Sequence, residues 1–219
     1  MRARVARTAA VTTIRVANEA AALAGLKVIR GNLLGEEWFK KVAYFVRLVD
    51  RVAEVDGDVA VCRVEAGKTL AVLASVVRST ERERVIWGFD GWSSLADAPP
   101  EAERGTLPLT PSVAEVKLRL RQMGFDGLGP VRLVDGDLEQ TLDRAPDLAL
   151  VDLDMLALDD YLLSLEKLWP KLQPGGIVSF GNFAPGQALE RFLPTLPRGA
   201  ATVEHDPAWH GRAFVVKSM

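Results

Sequence analysis

Ala66-Gly67-Lys68-Thr69 stands between an apolar run and a helical stretch, and that placement gives it chemical promise. Backbone N–H groups at a helix start attract anions. Arg63 and Lys68 add two cations beside them, so the segment is a candidate anion site. It is not a phosphate-binding P-loop, because the glycine needed five positions before Gly67 is Cys62. The alternative is that both cations face solvent or pair with Glu65 and Asp90. His205 and His210 flank the last apolar run, and either could serve as general base for an acceptor hydroxyl. A plain surface position is the alternative for each. Asp135, Asp137 and Glu139 form an acidic cluster that reads as a solvated loop rather than a site. Cys62 lies among Val59, Ala60 and Val61 and reads as a small buried hydrophobe. One cysteine and two histidines are too few for a zinc site.

The elements that hold these residues follow from the pattern. Trp38 to Glu54 has apolar Val42, Phe45, Val46, Val49 and Val52 at helical spacing, and Asp56-Gly57 breaks the helix. Val59 to Val64, Val85 to Phe89, Val131 to Val134, Leu148 to Leu153 and Ile177 to Phe180 read as buried strands. Terminal strands are expected around Thr202 and over Ala213–Lys217. Helices are expected over 69–77, 160–171 and 187–193. Another follows Pro111, where Ser112 and Glu115 have capping-box spacing and Gly124 suits the stop. The chain thus divides into a helical segment, 1–55, and an α/β domain, 56–219. Continuous apolar strands alternating with helices mean a mostly parallel sheet covered on both faces. Ligands of such sheets bind at the carboxyl ends of the strands. That rule singles out Arg63 to Thr69, Asp90, Asp135 to Asp137, Asp152 to Leu156 and Gly181 to Phe183.

Composition narrows the partners. The chain has 219 residues, 48% apolar and 26% charged, which suits one globular α/β domain. A net charge of −2 supplies no field for nucleic acid. No apolar run reaches the roughly 20 residues needed to span a bilayer. Met1 to Asn18 carries four arginines and no acid, which suits an amphipathic surface helix or a transit peptide. The first is the expectation kept, with a cytoplasmic location and neither nucleic acid nor membrane as partner.

Several segments, taken in order, resemble one family. Gly57-Asp58-Val59-Ala60 is similar to the approach to its first strand, and Trp87-Gly88-Phe89-Asp90-Gly91-Trp92 to its "GFDSF" segment. Gly136-Asp137-Leu138-Glu139-Gln140-Thr141-Leu142 is similar to its "GxFxDTLP". Leu168 to Gly176 is similar to its "LYPKLxPGG", and Trp209-His210-Gly211 to the start of its last strand. The chain thus resembles the macrocin O-methyltransferase-like family over nearly everything after about residue 40. The resemblance implies a Rossmann-like class I methyltransferase fold with a seven-stranded sheet. It also implies an S-adenosylmethionine-dependent, magnesium-dependent transfer of methyl to sugar hydroxyls of natural products, and a dimer contact and lid near the N-terminus.

Carried over residue by residue, that machinery is altered here. The family's first-strand motif, E-x-G-V-x-x-G-G-[ST], reads Val61 to Thr69 in this chain. Val61 replaces the acid, Arg63 the first glycine, and Lys68 the second of the paired glycines. Gly67 and Thr69 are kept. The resemblance makes Arg63, Gly67, Thr69, Asp90, Asp135 and Asp152 the cofactor-binding positions. Asp90 would accept hydrogen bonds from the adenosine ribose, or is only the turn residue of Asp90-Gly91. The family's metal motif, D-x-D-x-Y and D-D-Y, becomes Asp154, Leu156 and Leu158, then Gly181-Asn182-Phe183. Asp154 and Asn182 remain as a degenerate metal pair, a poor set for magnesium. Asp154 and His210 are the candidate catalytic residues. Three expectations follow. One is a pseudo-methyltransferase acting through a partner such as an active methyltransferase paralogue, in a homo- or heterodimer. Another is an active, metal-independent O-methyltransferase on a small-molecule acceptor. The third is a pocket turned to another anionic ligand.

Overall fold

The computed structural model describes residues 36–92, 112–125, 129–181, 185–206, 209 and 212–218. The chain divides into two compact units, Met1–Lys41 and Val42–Met219. The description that follows is of the second.

Helix α1, Glu36–Arg51, crosses the boundary between the units. Tyr44, Phe45, Leu48, Val49 and the following Val52 are buried. Val46, expected on that stripe, is half exposed; Tyr44 and Leu48 take the buried face in its stead. Helical geometry repeats every 3.6 residues, so Leu48 continues the face that Tyr44 and Phe45 begin, while Val46 points away from it. Strand β1, Asp58–Cys62, leads into α2, Lys68–Arg78. Strand β2, Ile86–Asp90, precedes α3, Val113–Gln122, whose Ser112 and Glu115 form the expected capping box. Strand β3, Val131–Asp135, is followed by the one-turn α4, Leu138–Thr141. Strand β4, Leu148–Leu153, leads to α5, Leu158–Leu168, and then β5, Leu172–Phe180. Helix α6, Pro185–Phe192, and strands β6, Ala201–His205, and β7, Ala213–Lys217, complete the described elements.

The seven strands form one sheet in the order β3-β2-β1-β4-β5-β7-β6. Strands β1 to β5 pair in parallel, and β7 is antiparallel to both β5 and β6. The strand order therefore reverses between β1 and β4, which opens a crevice at their carboxyl ends. Strand β4 is buried along its whole length, as its unbroken apolar run requires. Cys62 is fully buried, and burial pushes its thiol far up in pKa.

Two strands differ from expectation for local reasons. Strand β1 stops at Cys62 because Arg63 turns to φ 65°, a left-handed conformation that cannot continue a strand. Strand β5 begins five residues early, before Pro174-Gly175-Gly176. Its register against β4 shifts between Leu148 and Leu150, so the two glycines are absorbed as an irregularity.

Arg84 fixes the approach from α1 to β1. Its guanidinium donates to the carbonyls of Val52, at 2.6 Å, Val55, at 2.8 Å, and Gly57. These carbonyls lie just past the end of α1, so one buried cation caps the helix and the turn after it.

Candidate functional site

The site lies where β1, β2 and β4 end. The loop after β1 sets its shape. Arg63 and Glu65 both have positive φ, 65° and 51°, and Gly67 follows at 82°. For a residue with a side chain such a conformation costs roughly 1–3 kcal/mol. The loop therefore keeps a shape suited to glycine although arginine and glutamate now occupy it. Its hydrogen bonds hold that shape: Arg63 N–H donates to the Phe89 carbonyl and Gly67 N–H to that of Val64. Val64 is pressed onto Gly88 of β2, where an added Cβ would meet its Cγ2 at 2.8 Å.

Asp90, at the end of β2, is 7% exposed. Its Oδ2 accepts from the Glu65 backbone N–H at 2.7 Å. The acid that would take a ribose is thus already engaged by the loop beneath it. Burial holds its carboxyl above the ordinary aspartate range, opposed by backbone donors of Glu65 and Gly91 and by Arg63. The folded state therefore holds the Asp90 proton more tightly than the unfolded chain does. This contribution to stability is complete below the ordinary aspartate value and is lost as pH rises through the raised one. The stability of Asp90→Asn should accordingly gain on that of the native chain from about pH 4 upward. Urea midpoints of both proteins across that range check this, and a difference independent of pH would refute it.

Arg63 spans the crevice. Its Nη1 donates to the Asp154 carbonyl at 3.1 Å, and its Nη2 pairs with Glu65 Oε1 at 2.8 Å. The pairing with Glu65, expected as the alternative to an anion site, is present, and the Arg63 side chain is 22% exposed. Trp92 covers the loop from the β2 side, donating its ring N–H to the Glu65 carbonyl at 3.3 Å. Thr69 is buried in the first turn of α2, and Lys68 beside it is half-buried.

The remaining sequence-selected residues divide plainly. Asp135 pairs in register with Asp90 at the end of β3 but is exposed. Asp137 caps α4 by accepting from the Glu139 N–H at 2.9 Å, in keeping with a solvated acidic loop. Asp152 is 1% exposed inside the sheet. Its Oδ1 accepts from the Ser179 hydroxyl at 2.8 Å, and Ser179 bonds Tyr44 Oη at 2.9 Å. This Asp152–Ser179–Tyr44 chain went unnoticed in the sequence. A serine opposite Asp152 in the run Val178-Ser179-Phe180 was the available signal. Asp154 is 8% exposed next to Gly181. His205 is exposed at the end of β6. His210 and Asn182 lie outside the described residues.

The geometry tests the two groups the resemblance implies. For S-adenosylmethionine, Asp90 and the glycine-shaped loop suit an adenosine. The Arg63 guanidinium opposes the sulfonium and ammonium of the methionine end and can pair only with its carboxylate. For magnesium, no group of three metal-capable side chains occurs among the described residues, and Asn182 lies outside them.

Comparison with known proteins agrees with this architecture. The methyltransferase domain family model matches residues 64–183, more than half of the chain. No curated protein matches the sequence. Among solved structures, the O-methyltransferase NovP superposes with a TM-score of 0.67 at 22% identity, covering 82% of this chain and 80% of that one. The calicheamicin methyltransferase CalS11 gives 0.66 at 21%, over 84% and 82%. The S-adenosylhomocysteine-bound Podospora anserina methyltransferase PaMTH1 gives 0.54 at 15%, over 85% and 83%. Identities this low show a shared fold. No helix among the described residues is long and apolar enough to cross a membrane. With its sheet order, its loop after β1 and its matched segment, the chain belongs to the methyltransferase domain family and has the class I methyltransferase fold.

Proposed function

We propose that this chain is a macrocin O-methyltransferase-like protein, related to natural-product sugar O-methyltransferases, whose catalysis is lost or strongly altered. It acts through a partner, such as an active paralogue with which it dimerises. The observation that carries this reading is Arg63. Its guanidinium ties the β1 loop to the end of β4, across the place where a class I cofactor lays its methionine end. The same loop already engages Asp90. A cofactor would have to displace both contacts and tolerate a fixed positive charge.

A second reading is favoured by one observation. The loop retains its left-handed turns, and Asp90 retains its place. An active, metal-independent O-methyltransferase on a small molecule would use both. Thermal unfolding with S-adenosylmethionine or S-adenosylhomocysteine distinguishes the two. A ligand at 100 times its Kd stabilises by about 2.7 kcal/mol, which is roughly 5–10 °C for a domain of this size. The first reading expects no shift at about 1 mM ligand. A shift of that size would support the second and sink the first.

A further inference from the structure

Gly181 follows β5 directly, and its N–H donates to the Leu153 carbonyl at 2.6 Å. This draws the strand ends together beside Asp154. A Cβ at residue 181 would fall 2.0 Å from Asp154 Oδ1, 2.4 Å from its Cγ and 2.7 Å from its Cα. The last is backbone, so rotating the Asp154 side chain does not clear the space. The resembled family has an acid at this position, as the first of its D-D-Y. In this chain that acid cannot be housed unless the two strand ends separate. On the other side, the Asp154 carbonyl carries Arg63. Asp152 is committed to Ser179 inside the core. Magnesium needs near-octahedral oxygen ligation and gives up its water reluctantly. One carboxylate packed on a glycine, with a permanently charged guanidinium bonded to the same residue, does not provide that.

We propose that a metal-free closure replaces the family's divalent-cation site: Asp154 packs on Gly181, and Arg63 supplies the fixed positive charge at the same strand ends. The inference rests on placing the chain beside the metal-dependent sugar O-methyltransferases. Its readout is metal binding and that of the functional reading is cofactor binding, so either can fail alone.

Manganese, followed by the paramagnetic signal of the free ion, is the probe. The native protein and Asp154→Asn should leave that signal equally unchanged at roughly millimolar manganese. Saturable binding by the native chain that Asp154→Asn removes would overturn the proposal. In a second arm, Gly181→Asp should lower Tm by roughly 5 °C or more, and magnesium should not restore it. An unchanged Tm, or recovery with magnesium, would equally overturn it. The manganese arm uses native protein and stands even where Gly181→Asp fails to fold.

Discussion

Arg63→Gly is expected to bind S-adenosylhomocysteine in the ten-micromolar range, about 100-fold more tightly than the native chain. The substitution removes the guanidinium from the methionine end of the crevice and breaks its bonds to Asp154 and Glu65. It places at φ 65° the one residue that adopts that conformation without strain. Going from weaker than about 1 mM to about 10 μM is a 100-fold gain, roughly 2.7 kcal/mol. Losing one half-buried ion pair costs little stability, and relief of backbone strain offsets part of it. The variant should therefore fold. Equilibrium dialysis with labelled ligand measures the gain. Adding Asp90→Asn to Arg63→Gly should weaken binding again about tenfold, since a ribose would lose its charged acceptor. If Arg63→Gly binds no better than native protein, the guanidinium is not what excludes the cofactor.

The largest expected loss of stability lies away from the site. Arg84→Ala should destabilise the domain by about 3–5 kcal/mol, the range for leaving buried polar groups without their charged partner. The carbonyls of Val52, Val55 and Gly57 would all lose a donor, the first in a buried position and the other two in partly buried ones. In a chain of this length that is a fall in Tm of roughly 10 °C. Burial lowers the Arg84 pKa, but it stays charged at any ordinary pH, so the loss should not vary with pH between neutrality and mild acid. A change of under about 1 kcal/mol by urea unfolding would mean that water replaces the guanidinium there.

Much of the fold could be read in the sequence because its determinants are local. Apolar runs such as Leu148 to Leu153, bounded by turn residues, suit strands buried on both faces, whereas β3 is exposed at Arg132 and Asp135. The Ser112–Glu115 pair fixed a helix start by its own hydrogen bonds. Long-range choices were less visible. Val46 and Leu48 are both apolar; which face of the helix is buried is set by what packs on it, and the helical repeat then takes Leu48 in and leaves Val46 out. The strand end at Cys62 was hidden because arginine rarely takes positive φ, so residue type gave no warning. The family's glycine pattern singled out Arg63, and the structure gives it bonds to the Asp154 carbonyl and to Glu65. The Asp152–Ser179–Tyr44 chain includes a bond between residues 135 positions apart, Tyr44 and Ser179, and no spacing rule reaches that far. The family's motifs set Asp154 and Gly181 at metal positions, but the absence of room for a Cβ between them is a property of the packed backbone alone.

The central claim is that the native crevice is filled by its own loop. Calorimetric titration of the native chain with S-adenosylhomocysteine, with and without magnesium, tests it most directly. No binding heat is expected in either case. Micromolar binding, about −8 kcal/mol, would contradict it and would mean that Arg63 lines an open cofactor pocket.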